Sequence, residues 1–544
     1  MRTRVWTRAG LLAVLLAFAL AWFGVLDCRK LIKPDEGRYA EIAREMAASG
    51  DWVTPRLNGI KYFEKPPLQY WVTAASFKAF GENEWTARLW PAITGFLGIL
   101  LAWYAGHRLF GARSGAFAAT ALTSSLLYLG MGHFNTLDMG LAFFMESAVV
   151  GFLLAQQGER RWMWLAWGAL ALAVLSKGIV ALVLTGATLV TYSLLSRDFS
   201  PWRRLEPRHG IVIFLAIAAP WFIAVSLANP EFPRFFFIHE HFERFLTRVH
   251  HRYQPAWYFV PILLIGALPW TTMASQALVG AWRRTATADF QPRRFLLLWC
   301  LVVFGFFSAS GSKLPSYILP LFPALALLVG DLLARIGRKA LIGHLIVVAL
   351  IALPCVFLAP HITDRADAET PLEMMSAYAR WLTVAAAIWF TGTLTAVALA
   401  WRDRKPAAIV TVAAATFLAG NGAILGHESL SRSNSTYWIA AKIKSMVPAA
   451  VPFYSFGMYD QTLPYYLGRT VTLVQHQDEM AFGLKQEPEK WVPSADEFKR
   501  RWRRDADAFA VMDHTDFDRL RQEGLPMTEI ARDTRRVIVR KPQP

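Results

Sequence analysis

Residues 11–39 read LLAVLLAFALAWFGVLDCRKLIKPDEGRY, and this stretch decides the fold class. The apolar run Leu11–Leu26 passes directly into a polar segment with two adjacent acidic residues. Three arginines precede the run, so a cleaved signal peptide is one interpretation. The run is longer than most cleaved apolar cores, however, and no Ala-x-Ala site follows it. We therefore predict an uncleaved first transmembrane helix.

The composition extends this interpretation to the whole chain. Of the 544 residues, 55% are apolar and only 18% are charged, whereas soluble proteins carry about a quarter charged residues. Similar apolar runs recur as far as residue 425. These features exclude a soluble multidomain protein and predict a polytopic α-helical membrane protein that ends in a polar tail.

A bilayer core of about 30 Å requires ~20 mostly apolar helical residues, and this criterion predicts about 13 transmembrane helices. The fifth is short and its assignment decides the side of every later loop. The predicted spans are Leu11–Leu26, Ala87–Tyr104, Gly115–Leu129, Leu137–Leu154, Trp162–Leu175, Gly178–Leu195, Ile211–Leu227, Ala256–Val279, Phe295–Ser310, Pro315–Ala334, Leu341–Leu358, Trp381–Ala400 and Ala407–Leu425.

The net charge of +17 supports this count. If the N-terminus is cytoplasmic, every loop assigned to the inside carries at least two lysines or arginines, as the positive-inside rule requires. The basic total therefore needs no nucleic-acid partner. The C-terminus is predicted to lie on the outer side of the membrane.

The predicted domains are a transmembrane domain over residues 1–427 and a soluble α/β domain over residues 428–544. Three outer segments, 27–86, 228–255 and 359–380, are longer than simple turns, and such segments often carry function. In the tail we expect strands at Val451–Phe456, Thr470–Val474, Phe509–Met512 and Arg536–Val539, with helices at Gln461–Leu467 and Ala495–Arg504.

The first outer segment holds two acidic positions of interest. Apolar residues over 36–48 follow helical spacing, Gly50 is a stop signal, and Asp35 stands at the start of this helix. Asp35 could be a simple N-cap. A second acid, Glu64, lies with Lys65 before Pro66 and Pro67, where the alternative is a solvated salt pair. We predict a functional role for both acids.

Further charged residues are predicted to reach the same outer face. Asp138 lies near the outer end of the fourth span, Lys177 between the fifth and sixth, and Lys313 in a short outer turn. With Lys65 and Arg244 these lysines would form a ring of cations suited to a phosphate group. The carboxylates beside them suit general-base work, metal binding or a cationic group on a sugar.

The segment around residues 234–258 is rich in histidine and acid residues. His239, Glu240 and His241, with Glu64, could bind a divalent metal, zinc or magnesium, although the spacing matches no strong zinc motif. The alternative is an interfacial helix that is anchored by its aromatic side chains.

Several of these motifs together resemble one family. The Asp35-Glu36 pair, the Tyr62-to-Pro67 stretch, Asp138, the Glu240-to-Phe245 segment and Lys313-Leu-Pro-Ser-Tyr317 are similar to bacterial aminoarabinose transferases that modify lipid A. These enzymes are relatives of the protein O-mannosyltransferases and have the C-type glycosyltransferase fold. The resemblance covers the whole chain.

The resemblance implies an enzyme of the inner membrane with a periplasmic active site. The donor would be 4-amino-4-deoxy-L-arabinose on undecaprenyl phosphate and the acceptor a lipid A phosphate, which leads to polymyxin resistance. Apart from membrane lipids no other partner is expected, and we expect a monomer.

The resemblance also implies site roles. Asp35 and Asp138 would be essential acids, while Lys65, Arg244 and Tyr317 would hold the donor phosphate. From the cation pattern we add Lys177 to the catalytic residues and Lys313 to the phosphate site. Glu36, Arg38, Tyr39 and Tyr62 are predicted to line the cavity, and the expected reaction is an inverting single displacement.

Two alternative functions stay open. Another glycosyltransferase that uses a polyprenyl-phosphate sugar could act on protein or glycan hydroxyl groups with the same two aspartates. A lipid-linked sugar transporter would need paired helix breaks near the bilayer midplane and internal pseudo-symmetry, and the sequence has neither.

Overall fold

The computed structural model describes residues 8–243, 254–283 and 290–542. The chain divides into two compact units, each formed by three segments of the chain. The first unit comprises Met1–Asp27, Arg88–Ala359 and Leu382–Leu425, and the second comprises Cys28–Ala87, Pro360–Trp381 and Gly426–Pro544.

The apolar part of the chain is helical, and each of the predicted spans coincides with one helix or with two consecutive helices. Shorter 3-10 or π-type turns at Ser200–Arg204, Arg234–Glu243, Ala256–Tyr258 and Pro315–Leu321 connect them. The helices are Arg8–Phe23, Glu84–Phe110, Ala112–Ser124, Leu126–Met131, Asp138–Gln156, Arg161–Lys177, Val180–Ser196, Pro207–Ala228, Phe259–Gly266, Thr271–Ala281, Pro292–Ala309, Phe322–Arg335, Arg338–Leu358, Leu372–Trp401 and Lys405–Gly426.

Not every predicted span is one long helix. Among the described residues, eight helices are long and apolar enough to cross a membrane, or nine if a bent pair counts as one span. That pair, Ala256–Gly266 and Thr271–Ala281, is bent by 112° at a break that contains Pro269, which has no amide N–H to donate. The other predicted spans are helices of 17 residues or fewer, and the third is interrupted at Ser125. The fifth is an unbroken helix, Arg161–Lys177.

The second unit contains a six-stranded mixed sheet. A separate hairpin consists of β1 Arg56–Leu57 and β2 Ile60–Lys61, and the strands of the sheet are β3 Phe453–Phe456, β4 Thr472–Val474, β5 Trp491–Val492, β6 Phe509–Met512, β7 Thr528–Arg532 and β8 Val537–Arg540. The order in the sheet is β5-β4-β3-β6-β8-β7, in which β3, β4, β5 and β6 run parallel and the last two pairings are antiparallel.

The predicted amphipathic helix of the tail is confirmed at Ala495–Arg504. Ser494 caps it by accepting a hydrogen bond from the Glu497 amide. Phe498 and Trp502, one turn apart, are fully buried in the core of the sheet domain, while the charged residues lie on the opposite face. Burial of these two aromatic side chains stabilises the domain by several kcal/mol, at roughly 25 cal/mol per Å².

The four predicted strands correspond to β3, β4, β6 and β8, with ends shifted by at most two residues, and the predicted helix at 461–467 is Thr462–Leu467. Two strands of the six-stranded sheet were not predicted. The two-residue β5 is too short to give a pattern, and β7 is an edge strand with mostly exposed residues and an irregularity between Glu529 and Ala531. The remaining helices and helical turns of the second unit are Asp35–Ser49, Leu68–Phe80, Ala359–Arg365, His427–Leu430, Ser431–Asn434, Tyr437–Ile443, Asp478–Met480, Ala481–Gln486, Pro488–Lys490 and His514–Gln522.

The predicted boundary after residue 427 falls at the start of the last segment of the second unit. Segments 28–87 and 360–381, which the sequence predicts to be loops of the transmembrane domain, group with the C-terminal segment instead. Asn58 illustrates how they are joined: its amide nitrogen donates to the Val471 carbonyl and its oxygen accepts from the Val471 amide, both at 2.7 Å.

A buried ion pair holds the C-terminal segment together. Arg536, which is fully buried, donates to Asp460 at 2.7 Å and to Asp533 at 2.7 Å. The Arg536 guanidinium and hydrogen bonds from Thr462 overcome the effect of burial and hold the pKa of Asp460 below its usual range. Neighbouring Arg535 pairs with Glu369 at 2.9 Å and so joins segment 360–381 to the same network.

A second buried cluster lies on helix Asp35–Ser49. Arg44 donates to both carboxylate oxygens of Glu41, at 2.6 and 2.7 Å. Glu45, one turn further along, accepts a hydrogen bond from the Gly59 amide at 2.8 Å. Burial and the adjacent Glu41 carboxylate raise the pKa of Glu45 well above its usual range. The pair of carboxyl groups is therefore most stable with one proton on Glu45.

The raised pKa of Glu45 predicts a pH-dependent stability. Because the folded state binds this proton more tightly than the unfolded chain, the contribution to stability is present at low pH and is lost as the pH rises through the folded-state pKa. We expect the melting temperature of the purified protein to fall less on raising the pH in Glu45→Gln than in wild type. Thermal unfolding across a pH series checks this.

Glu489→Gln is the matched control, since Glu489 is exposed in the same unit. Its pH profile should follow that of the wild type. Identical profiles for Glu45→Gln and wild type would contradict a protonated Glu45.

Candidate functional site

Asp35 is the first residue of helix Asp35–Ser49 and is about one-third exposed. Its carboxylate accepts a hydrogen bond from Arg38 at 2.8 Å, one turn along the helix. The N-cap interpretation is wrong, because the cap position is Pro34 and no side chain caps the helix. Gly37 allows the helix to approach another segment, since a Cβ atom there would lie 2.7 Å from the backbone of Gln461.

Arg38 is buried and bridges two acids. Besides Asp35 it donates to Glu479, a buried residue of the C-terminal segment. Burial raises the pKa of Glu479, while the Arg38 guanidinium opposes that change. Sequence reasoning missed Glu479, since no motif surrounds it. The bridge to Glu479 orients Arg38, and Arg38 in turn orients the Asp35 carboxylate.

The predicted cavity residues around Asp35 are mostly buried. Tyr39 packs on Tyr70 with ring centroids 6.1 Å apart, and Tyr62 is 2% exposed. Burial raises the pKa of the Tyr62 hydroxyl well above its usual range, so the phenol stays neutral. Glu36 is also buried: it accepts from the Ile32 amide and lies 3.7 Å from the Arg29 guanidinium.

Glu64 and Lys65 are adjacent at the start of the Pro66-Pro67 turn, directly before helix Leu68–Phe80. The Lys65 Nζ atom lies 3.9 Å from the Glu64 carboxylate and donates to the Glu64 carbonyl at 2.7 Å. Both side chains are about one-sixth exposed. The Glu64 carboxylate acts electrostatically on Tyr62, as do Arg38 and Glu479. These groups form one polar cluster in the second unit, which we call the Asp35 cluster (Asp35, Arg38, Tyr62, Glu64, Lys65 and Glu479).

In the first unit Asp138 and Lys177 form an ion pair. Asp138 begins helix Asp138–Gln156 and Lys177 ends helix Arg161–Lys177, so each charge also interacts favourably with its helix dipole. The Lys177 Nζ atom lies 4.4 Å from the centre of the Tyr317 ring, within cation–π range. Both charged side chains are at least 85% buried. We call these three residues the Asp138 cluster.

Lys313 is placed differently from the other predicted cations. It is 4% exposed and donates to the carbonyl oxygens of Gln254, at 2.9 Å, and of Ser310. Burial lowers its pKa. These bonds hold residues 310–313 in a compact turn just before Tyr317.

Two predictions cannot be located. Arg244 lies outside the described residues. The backbone of His239, Glu240 and His241 belongs to the π-type helix Arg234–Glu243, but their side chains are not among those described. Within the described part of the chain, no group of three His, Cys, Asp or Glu side chains could hold a metal ion. The metal site stays a prediction.

The two clusters share a chemistry. Each places a carboxylate next to a cation at the end of a helix, with a tyrosine beside them. A lysine in such a setting can stabilise negative charge that develops on a phosphate leaving group. A carboxylate can orient a nucleophile or pair with an ammonium group.

Comparisons with known proteins agree with these features. Residues 8–241 match the family described as dolichyl-phosphate-mannose-protein mannosyltransferase. Residues 439–541 match the aminoarabinose transferase C-terminal domain. The first match takes in segment 28–87 of the second unit as well as helices of the first unit, and the second match covers the six-stranded sheet.

Curated relatives carry one name. The undecaprenyl phosphate-alpha-4-amino-4-deoxy-L-arabinose arabinosyl transferase of Erwinia tasmaniensis is 35% identical over 345 residues, 62% of each chain. That of Pectobacterium carotovorum is 32% identical over 393 residues, 69% of this chain and 70% of the relative. The alignments span about 60% of the length of the first curated relatives.

Solved structures extend the similarity to the full chain. ArnT from Cupriavidus metallidurans bound to undecaprenyl phosphate is 39% identical, with a TM-score of 0.93 over 98% of both chains. The oligosaccharyltransferase of Archaeoglobus fulgidus, at 12% identity and a TM-score of 0.53 over 93% of this chain, shares the fold alone. The chain therefore belongs to the undecaprenyl phosphate-aminoarabinose arabinosyl transferase family of membrane glycosyltransferases, with the C-type glycosyltransferase fold.

Proposed function

We propose that the protein transfers 4-amino-4-deoxy-L-arabinose from undecaprenyl phosphate to a phosphate group of lipid A. The observation that carries this proposal is the 39% identity, along 98% of both chains, to a structure bound to undecaprenyl phosphate. The added amine would lower the negative charge of lipid A and so weaken the binding of polymyxin and other cationic peptides.

The proposed reaction is an inverting single displacement. A lipid A phosphate is already an anion at neutral pH, so it needs orientation rather than a strong base. The phosphate oxygen attacks the anomeric carbon, and the bond to the undecaprenyl phosphate oxygen breaks. The negative charge on that leaving phosphate is the main electrostatic demand on the protein.

The two clusters supply groups for these roles. In the first unit we assign Lys177, oriented by Asp138 and Tyr317, to the leaving phosphate. In the second unit Lys65, adjacent to Glu64, keeps its predicted role as a phosphate-binding residue. We assign Asp35 to the acceptor or to the sugar amine, because its carboxylate is partly exposed and is held by Arg38.

We further propose that the protein lies in the bacterial inner membrane with its N-terminus in the cytoplasm and both clusters on the periplasmic side. The basic residues of the loops assigned to the inside support this orientation. We also propose that the protein acts as a monomer.

Replacement of Asp35 gives the decisive test. We expect lipid A from cells that express the wild type to gain the mass of one or more aminoarabinose groups, and lipid A from cells with Asp35→Ala to gain none. The variant should still fold, because Arg38 keeps its pairing with Glu479. Mass spectrometry of lipid A checks the first outcome and the melting temperature of the purified variant checks the second.

Asp27→Ala is the matched control, since Asp27 is exposed, and it should modify lipid A like the wild type. Unmodified lipid A in wild-type cells, with glycosylated protein or glycan instead, would favour the alternative acceptor. The observation that favours a protein acceptor is the match of residues 8–241 to the protein mannosyltransferase family.

The Asp138 cluster generates a separate prediction. Lys177→Met removes the cation and leaves the Asp138 carboxylate buried without its partner, so we expect the transfer rate to fall about 100-fold or more. Lys177→Arg keeps the charge and should retain more activity than Lys177→Met. In vitro transfer to lipid A in detergent measures both rates, and a wild-type rate for Lys177→Met contradicts the assignment.

We also propose that the protein binds a divalent metal, zinc or magnesium, through one or two of the side chains of His239, Glu240, His241 and Glu64. Support comes from the donor chemistry of these side chains alone. Removal of metal with a chelator should lower the transfer rate, and added zinc or magnesium should restore it. A full rate from protein shown by elemental analysis to be metal-free would refute the proposal.

A further inference from the structure

A carboxyl group lies inside the first unit, and the described residues place no counter-charge beside it. Glu146 is in the middle of helix Asp138–Gln156 and is 4% exposed. Both of its carboxyl oxygens are buried, and neither has a hydrogen-bond partner in the described part of the chain. Ionisable residues at membrane depth are rare and are usually functional, so this residue requires an explanation.

Two neighbouring helices shape the space around this carboxyl group. A Cβ atom placed on Gly98, in helix Glu84–Phe110, would lie 2.9 Å from Glu146 Oε2 and 2.2 Å from the Tyr128 hydroxyl. Glu146 Oε2 and the Tyr128 hydroxyl oxygen therefore both border the space that residue 98 leaves open because glycine has no side chain. The Tyr128 hydroxyl donates to the Gly95 carbonyl at 3.0 Å, so its oxygen is left as an acceptor toward this space.

Among the residues that the structure describes, no cation pairs with the carboxyl group of Glu146. Tyr128 is the titratable group that faces Glu146. Titratable and charged side chains of the surrounding elements are engaged elsewhere: Lys177 with Asp138, Arg204 with the Gln156 carbonyl, Tyr192 with Asp198, Arg88 with the Leu26 carbonyl, Arg108 with Glu159, and Tyr317 with Lys177. Asp138 and Gln156 lie about 12 and 15 Å along the helix axis from Glu146.

The apolar surroundings of Glu146 determine whether its carboxyl group is ionised or neutral. An isolated carboxylate in an apolar interior is far more costly than the neutral acid, because the acid loses only the hydration of a polar group. We propose that Glu146 is a proton-binding site of the transmembrane unit, occupied at neutral pH, and that it is reactive toward apolar carbodiimides.

The predicted modification is a simple addition. The acid proton moves to one carbodiimide nitrogen while the carboxyl oxygen bonds to the central carbon, and acyl migration to nitrogen then gives a stable N-acylurea. No group leaves, so the adduct has the summed mass of protein and reagent. An ionised carboxylate lacks the proton that this step requires.

Labelling of the full wild-type chain tests the proposal without any variant. In detergent at pH 7, dicyclohexylcarbodiimide should modify Glu146 and not Glu159, whose side chain is 44% exposed. A water-soluble carbodiimide with an added amine should show the reverse preference. Peptide mass spectrometry identifies the sites, and an unmodified Glu146, or equal labelling of both residues by either reagent, overturns the proposal.

An infrared difference spectrum supplies an independent measurement. Wild type minus Glu146→Gln at pH 7 should show the carbonyl band of a protonated carboxyl group, and absence of that band overturns the proposal. Glu159→Gln is the control and should show loss of an ionised carboxylate band instead. Neither readout depends on lipid A modification, so the proposed enzyme activity and the proton site can fail separately.

Discussion

A guanidinium group that is removed from water needs a carboxylate, and in the second unit this requirement joins segments that are far apart in the chain. Arg38 meets Glu479 across 441 positions of sequence, and Arg536 meets Asp460 across 76. Loss of one partner from such a buried pair typically costs about 3–5 kcal/mol, because the remaining charge is left without compensation. The helix that begins with Asp35 therefore has a fixed position only when the C-terminal segment is folded.

In the first unit, buried charges of opposite sign are paired at the ends of helices. Asp138 and Lys177 are brought together because consecutive antiparallel helices return the chain to the same end of the bundle. Each charge lies where the helix dipole favours it, and the pair is largely shielded from water. A cation so held is already oriented before any anion arrives, so little reorganisation remains to be done when charge develops on a leaving group.

Residue patterns predicted the structure correctly wherever the structure depends on residues that are close together in the sequence. Apolar runs located the spans, the spacing of Phe498 and Trp502 located the amphipathic helix, and helix alternation brought Asp138 and Lys177 to one end. Contacts between residues that are far apart in the sequence could not be predicted in this way. Nothing in the residues near Glu479 points to Arg38, and the interactions of Asn58 with Val471 depend on a hairpin that was not predicted.

The division of the second unit into three segments has a consequence for biogenesis. During synthesis the helix with Asp35 and Arg38 emerges early, whereas Glu479 and the strands of the sheet follow after every apolar helix has been made. The guanidinium of Arg38 must therefore stay hydrated, or be held by a temporary partner, throughout membrane insertion. A ribosome that stalls before the last hundred residues leaves a fully inserted bundle without an ordered Asp35 cluster, which makes completion of the chain itself the step that assembles this part of the protein.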